Sequence, residues 1–452
     1  MNNSAFSYLN FIHFSQLNLW DVKRHLLNLD IYNNDNYVLL RDILTNYKVS
    51  LNKKDIKQRE IHIISKINFS GQLYLRPLED VDSFKSNLFE IPNESLIYSK
   101  INVRHGCTFY NNTGKNIAGT SEYPVFIINK NKVRGEYLQK VLRTSYIKRY
   151  LDTKTTGFSK TRVPVDEFLN IKIPLPSLEK QKEIVDRYNE KIKLAEEQKK
   201  EAQNLEEEIE SYLFKTLDIN IINFDTNTNN NFSFIQTINF KNLKAWSFEK
   251  NLKDRFEYTA RYKLYNLDNL CIKITDGTHQ TPKYVNKEGI PFLSAKDVTT
   301  QKINWENIKY IPTELHSTLC KRVRPQLNDI LLAKNGTTGV AAIVDKNIEF
   351  SIYVSLALLR VNNRIIRPNY LLFMINSKIA KMQFNKKLIG IGVPNLHLSE
   401  IKTTKIPIPP LEIQDKIICK INEIKAKIEK LNNLAEQNRQ LAQEEFEKEL
   451  FE

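Results

Sequence analysis

The residue types in this chain that could do chemistry gather in four glycine-containing polar loops. One runs Thr275-Asp276-Gly277-Thr278-His279-Gln280-Thr281-Pro282. A second, Lys334-Asn335-Gly336-Thr337-Thr338-Gly339, follows the apolar run from Ile330 to Ala333. A third is Gly390-Ile391-Gly392-Val393-Pro394-Asn395, and Gly157-Phe158-Ser159-Lys160-Thr161-Arg162 is its counterpart in the first half. Glycine lets backbone approach a partner closely. Lys, Asn, Thr and Gln supply donors to phosphates and base edges. Gly157, Lys160, Arg162, Thr278, His279, Gln280, Lys334, Asn335, Thr337, Gly390 and Asn395, with Lys100, which falls on Lys334 at an offset of 234, are therefore the candidate DNA contacts. Each loop could equally be an ordinary tight turn. His279 suits hydrogen bonding within its own loop better than base reading.

No set with catalytic spacing accompanies these loops. A phosphate-binding loop needs G-x-x-x-x-G-K-[ST]. The nearest match, Gly106 to Asn116, has seven residues between its glycines, and Lys115 is followed by Asn116. No G-x-G-x-x-G opens a helix, and H-E-x-x-H and G-x-S-x-G are absent. The Asn-Pro-Pro-aromatic or Asp-Pro-Pro-aromatic run of amino-methyltransferases is absent too. Glu400-Ile401-Lys402 and Glu423-Ile424-Lys425 resemble the end of a nuclease motif, but no Pro-Asp precedes them at a suitable distance. They read better as exposed faces of amphipathic elements. Cys107, Cys271, Cys320 and Cys419 are far apart and form no C-x-x-C, so four reduced thiols are expected, with no disulfide framework and no metal site. No catalytic residue is expected.

The elements that must position the loops occur twice. Residues 173–181 read IPLPSLEKQ and residues 406–414 read IPIPPLEIQ. The offset of 233 holds without gaps from Tyr137–Ile184 to Tyr370–Ile417, with 14 identities over 48 positions, among them Gly157/Gly390, Pro174/Pro407, Pro176/Pro409 and Gln181/Gln414. Upstream, Trp20 matches Trp246 and Lys100 falls on Lys334. The period is too long for a solenoid, so this is a duplicated domain pair. Each proline signature opens a long charged run without Gly or Pro, and prolines suit a helix start. Ile184, Tyr188, Leu205 and Ile209 recur at threes, fours and sevens in the first run, with Ala195 and Ala202 between them. Ile417, Ile421, Ile424, Ile428, Leu431, Ala435 and Ala442 do so in the second. Such heptad-like seams predict two helices that pack on each other, each up to roughly 60 Å long. Polar Asn438 on the seam would favour one register. The competing arrangement lays each helix across its own domain. The expected division is 1–176, a domain; 177–217, a helix; 218–233, an Asn/Thr/Asp-rich linker; 234–409, a second domain; and 410–452, a second helix. Short β-rich runs at Tyr123–Ile128, Asp329–Leu332 and Val340–Val344, and a helical pattern from Tyr370 to Met382, make each domain α+β with a mostly antiparallel sheet.

The formal charge is +15. It is divided as +9 over 1–176 and +14 over 234–409, against −3 on each helix and −2 on the linker. Two cationic domains fit a polyanion, because phosphate contacts dominate nucleic-acid affinity. A membrane partner is not expected: no apolar stretch approaches eighteen residues, and no basic amphipathic helix carries bulky anchors. The N-terminus lacks a basic and then apolar leader, so the cytoplasm is the expected location.

The paired signatures, each opening a long helix, the half-chain duplication, and the Asp276-Gly277-Thr278-His279 and Lys334-Asn335-Gly336 loops together resemble the specificity subunit of type I restriction-modification systems. The resemblance covers nearly the whole chain. It implies two target-recognition domains, each reading half of a split site in double-stranded DNA, and two spacer helices packed as an antiparallel coiled coil. It further implies docking of two modification subunits, which hold S-adenosylmethionine and methylate adenine, and of a restriction/motor subunit, with no cofactor in this chain. One departure stands out: around Asn68-Phe69-Ser70-Gly71 the first half matches the Asp276 loop only thinly, so the two half-sites should differ. A stand-alone methyltransferase or nuclease, and a coiled-coil scaffold without a DNA role, are the alternatives. S-adenosylmethionine binding by the isolated chain would favour the first, and salt-independent behaviour the second.

Overall fold

The computed structural model describes residues 37–81, 84, 86–154, 162–222, 257–387 and 395–451. They group into two compact units. One takes in the chain up to Lys199 together with its end from Asn433 onward, and the other is Lys200–Asn432.

The duplication seen in sequence is a duplication of sheets. In the first unit the strand order is Leu44–Tyr47, Val125–Ile128, Ser95–Tyr98, Thr108–Tyr110. In the second it is Cys271–Asp276, Leu356–Val361, Ile330–Ala333, Ala341–Ile343. Every neighbouring pair in both sheets is antiparallel. The three β-rich runs of the sequence are the strands at Val125, Ile330 and Ala341. The central strands Ser95–Tyr98 and Ile330–Ala333 are buried along their whole length, as a sheet covered on both faces requires. Smaller sheets flank these, and one of their pairings, Phe292–Leu293 with Ser351–Ile352, is parallel. The α+β class and the mostly antiparallel pairing follow from the sequence as read.

The helical pattern from Tyr370 to Met382 is two helices, Pro368–Asn376 and Lys378–Lys387. Ser377 breaks it: its backbone is extended at ψ 161, and its hydroxyl donates to the Met374 carbonyl at 2.6 Å. The first unit repeats the break at Thr144, whose hydroxyl donates to Val141 at 2.7 Å between Gly135–Val141 and Ser145–Lys154.

The proline signatures have a common physical reason. Gln181 and Gln414 are fully buried at the first turn of each long helix. The Gln181 amide donates to the carbonyls of Lys132 and Pro176, and its oxygen accepts from the Arg134 N–H. Gln414 does the same with Ile365, Pro409 and Arg367. Tyr137 and Tyr370 donate their hydroxyls to Pro174 and Pro407, at 2.9 and 2.7 Å. Each signature therefore ties strand, loop and helix at one buried polar knot, where unmet groups would be costly.

The long helices are Leu178–Leu217 and Leu411–Phe451. In the first unit Lys191 pairs with Glu445 at 3.1 Å, Gln198 meets Asn438 at 3.0 Å, and Arg187 pairs with Glu449. Numbers rising on one helix meet numbers falling on the other, so the pairing is antiparallel. Asn438, on the seam, donates this hydrogen bond to Gln198. Ile184 and half-buried Tyr188 pack with Phe446 and Leu450 into the core of this unit. In the second unit Leu213, Leu217 and half-buried Ile209 share a core with Ile417 and Ile421. Ile424 is buried, while Leu205, Ile428 and Leu431 are half-buried. The competing arrangement is also partly realised, because Ile417 and Ile421 join their own domain's core before the helix continues. Each unit is completed by the last turns of the helix that the sequence would assign to the other end of the duplication. Glu447 accepts the Ser145 N–H at 2.6 Å, and Glu210 accepts the Lys378 N–H at 2.8 Å. Both carboxylates sit at helix N-termini, where the dipole favours negative charge.

Candidate nucleic-acid interface

In the second unit strands Cys271–Asp276 and Ile330–Ala333 are both antiparallel to Leu356–Val361, which lies between them. They therefore run the same way, and the loops that follow them leave the sheet at the same end. That is why Asp276 and Lys334, 58 positions apart, meet. Lys334 Nζ lies 2.7 Å from Asp276 Oδ2, with the side chains 7% and 5% exposed. Arg322 Nη2 is 2.7 Å from the other carboxylate oxygen, and His279 Nε2 is 3.5 Å from it. Burial pushes the Asp276 carboxyl up, but the Lys334 hydrogen bond and charge, with His279 and Arg322, outweigh it. The group is held below its ordinary value.

Backbone pairing fixes the rest. The Thr278 N–H donates to Ile352 and its carbonyl accepts from Val354. A Cβ at Gly277 would stand 2.0 Å from the Ile352 carbonyl oxygen, so only glycine permits this approach. Gly336 takes φ +74 at the tip of its loop. Asn335 bridges to Asn395, and the Leu396 N–H donates to the Lys334 carbonyl. Two loops and Asn395, far apart in sequence, thus form one rim. On it His279, Gln280 and Thr337 are exposed, and Thr278, Asn335 and Asn395 half-buried. Asn395 Oδ1 is buried without a hydrogen-bond partner among the described residues.

The candidate contacts divide on this geometry. Thr278, His279, Gln280, Asn335, Thr337 and Asn395 come together on the rim. Lys334 also lies there, but its ammonium is buried and engaged by Asp276, so it anchors the rim from beneath instead of presenting a free cation. Lys100, its counterpart, follows strand Ser95–Tyr98 and links through its backbone to Glu122 and Val163. Arg162 lies beside it, exposed and paired with Glu122 at 2.8 Å. Gly157, Lys160 and Gly390 lie outside the described residues. Asp276 has no assigned role in the sequence pattern, and Arg322 stands outside every loop named there. The signal available was opposite charge at the ends of two apolar runs. Glu400 and Lys402 flank buried Ile401 on a five-residue helix, an amphipathic element. Lys425 lies with its ammonium 4.6 Å from the centre of the Phe373 ring. All four cysteines are free thiols. No helix among the described residues is long and apolar enough to cross a membrane.

The model of the type I restriction modification DNA specificity domain matches this chain twice, over residues 80–207 and 259–438, together more than half of its length. The chain belongs to this family, which confers sequence specificity and is non-catalytic. A stretch of 138 residues is 23% identical to the EcoBI specificity subunit of Escherichia coli, spanning 30% of this chain and 29% of that protein. Another, of 315 residues, is 22% identical to the MjaVIII specificity subunit of Methanocaldococcus jannaschii, spanning 67% of this chain and 68% of that one. A solved structure described by the complex assembly and conformational transition of the type I restriction-modification system shares the fold. Its TM-score is 0.55 at 15% identity, over 91% of this chain and 96% of that one.

Proposed function

We propose that this chain binds double-stranded DNA at a split target and directs adenine methylation and restriction by partner subunits. The observation that carries this is the duplicated sheet, set in two domains that hold all of the positive excess, with a rim of polar loops at one sheet end in the second. Residues 1–176 and 234–409 act as target-recognition domains, and helices 177–217 and 410–452 as spacers joined through 218–233. Backbone phosphates give affinity, and exposed side chains such as His279, Gln280 and Thr337 read base edges. Two modification subunits holding S-adenosylmethionine and one restriction/motor subunit are the partners, and the cytoplasm is the place of action.

A salt titration of duplex binding tests this. Affinity should fall steeply between about 50 and 200 mM salt as counterions are released. The purified chain should neither methylate nor cleave DNA. Salt-independent affinity, or methyl transfer by the chain alone, would refute the reading.

A further inference from the structure

The first unit exposes an aromatic side chain that its own core does not use. Phe69 stands at the tip of the hairpin joining strands Ile64–Ile67 and Leu73–Leu75, and is 63% exposed. An isolated exposed aromatic needs no explanation, but this one is held rigidly. Asn68 Oδ1 accepts the Gln72 N–H at 2.8 Å and the Ser70 hydroxyl at 2.7 Å, and Asn68 Nδ2 donates to Gln72 Oε1 at 3.1 Å. Gly71 takes φ +77, which closes the turn. The His105 ring supports one side of Phe69, with centroids 4.9 Å apart.

The surroundings are strongly cationic. Arg143 presses against the hairpin so closely that a Cβ on Gly71 would be 2.6 Å from its guanidinium. Its Nε is buried without a hydrogen-bond partner among the described residues, as is that of Arg104. Burial lowers the Arg143 pKa, as expected of a desolvated cation without a close carboxylate. Lys148 packs beneath Gly106, opposed by Glu447. The three segments that meet here, 62–76, 99–115 and 139–150, contain nine Lys/Arg and no Asp/Glu. Half-buried cations with unmet donors are stabilised when an anion arrives. A rigid aromatic at the centre of such a field matches the apolar wedges that proteins insert between base steps.

We propose that the Asn68–Gln72 hairpin is a base-contacting wedge: Phe69 inserts at a base step of the first half-site while Arg143 and Arg104 take flanking phosphates. This rests on the DNA-binding reading above and adds a specificity-determining residue to it. It also accounts for the thin match between this loop and the Asp276 loop, since the two domains would read their half-sites by different means.

The test uses the full chain assembled with its modification subunits, a target duplex carrying 2-aminopurine in the first half-site, and a random-sequence duplex. Phe69→Ala should weaken target binding by about tenfold or more, from the lost stacking on one base. It should also abolish the 2-aminopurine fluorescence rise on binding, while binding to random duplex and its salt slope stay unchanged. Phe69→Trp should restore both signals. Phe69 is exposed, so these variants keep the fold, which an unchanged melting temperature checks. Equal losses on both duplexes, or none on either, would overturn the wedge. Failure of the wild-type complex to prefer the target duplex would instead overturn the DNA reading itself.

Discussion

Replacing Asp276 by Asn removes one negative charge from a buried site and leaves its geometry nearly intact. The consequence follows from the burial of its partner. Lys334, 7% exposed, would lose the carboxylate that pairs with it, while Arg322, 56% exposed, can return to water. Stranding one partner of a buried pair costs about 3–5 kcal/mol. Nearly all of that is assigned to Lys334, because exposed pairs contribute only about 0–1 kcal/mol. Urea unfolding of the full chain, with hydrogen exchange across 276–280 and 334–339, measures the loss and its location. Asp276→Leu combined with Lys334→Met should cost clearly less than the sum of the two single changes, since no buried charge is then stranded. The folded-state pKa of Asp276 is depressed, so its stabilisation is present above the unfolded value near 3.9 and disappears as pH falls through the folded one. The Asn variant should lack that acid-side loss. A stability change below about 1 kcal/mol, or additive single and double changes, would refute the anchoring role of the pair.

Two further outcomes follow from the same geometry. Gln414→Ala, and equally Gln181→Ala, should cost about 1–3 kcal/mol by thermal melting, because each strands buried backbone groups at a helix start. Four residues inserted beside Ala202 lengthen the first spacer helix by about 6 Å and keep its seam nearly in phase. Methylation of a randomised-spacer library should then show the unread gap longer by one or two base pairs at ~3.4 Å each, with both half-sites unchanged.

Much of this architecture was legible because it obeys simple periodicities. The duplication showed in the proline signatures, whose spacing is fixed by the buried glutamine knot. The helices showed in heptad-like seams. The strands at Val125, Ile330 and Ala341 showed in apolar β-branched runs. The break at Ser377 did not, because one hydroxyl turning back on a carbonyl leaves hydrophobic periodicity undisturbed. The completion of the first unit by Phe446 and Leu450 was legible in principle, since they continue the spacing from Ala442. Which domain they serve depends on the antiparallel pairing, which periodicity does not encode. The site was the least legible part. Lys334 reads as a free cation in sequence, and its burial against Asp276 arises only because two strands share a neighbour and end together. Phe69 shows in the sequence only as part of a thin match to the Asp276 loop; its exposure and the cations around it come from three segments meeting in space.

The most direct test of bipartite recognition is the pattern of methylated adenines in cells that carry this chain with its partner subunits, before and after residues 234–409 are exchanged for those of a relative. One split motif is expected, present only when the chain is present, in which the exchange rewrites one half and leaves the other half and the gap intact. A motif that does not depend on the chain, or an exchange that alters both halves or neither, would contradict it.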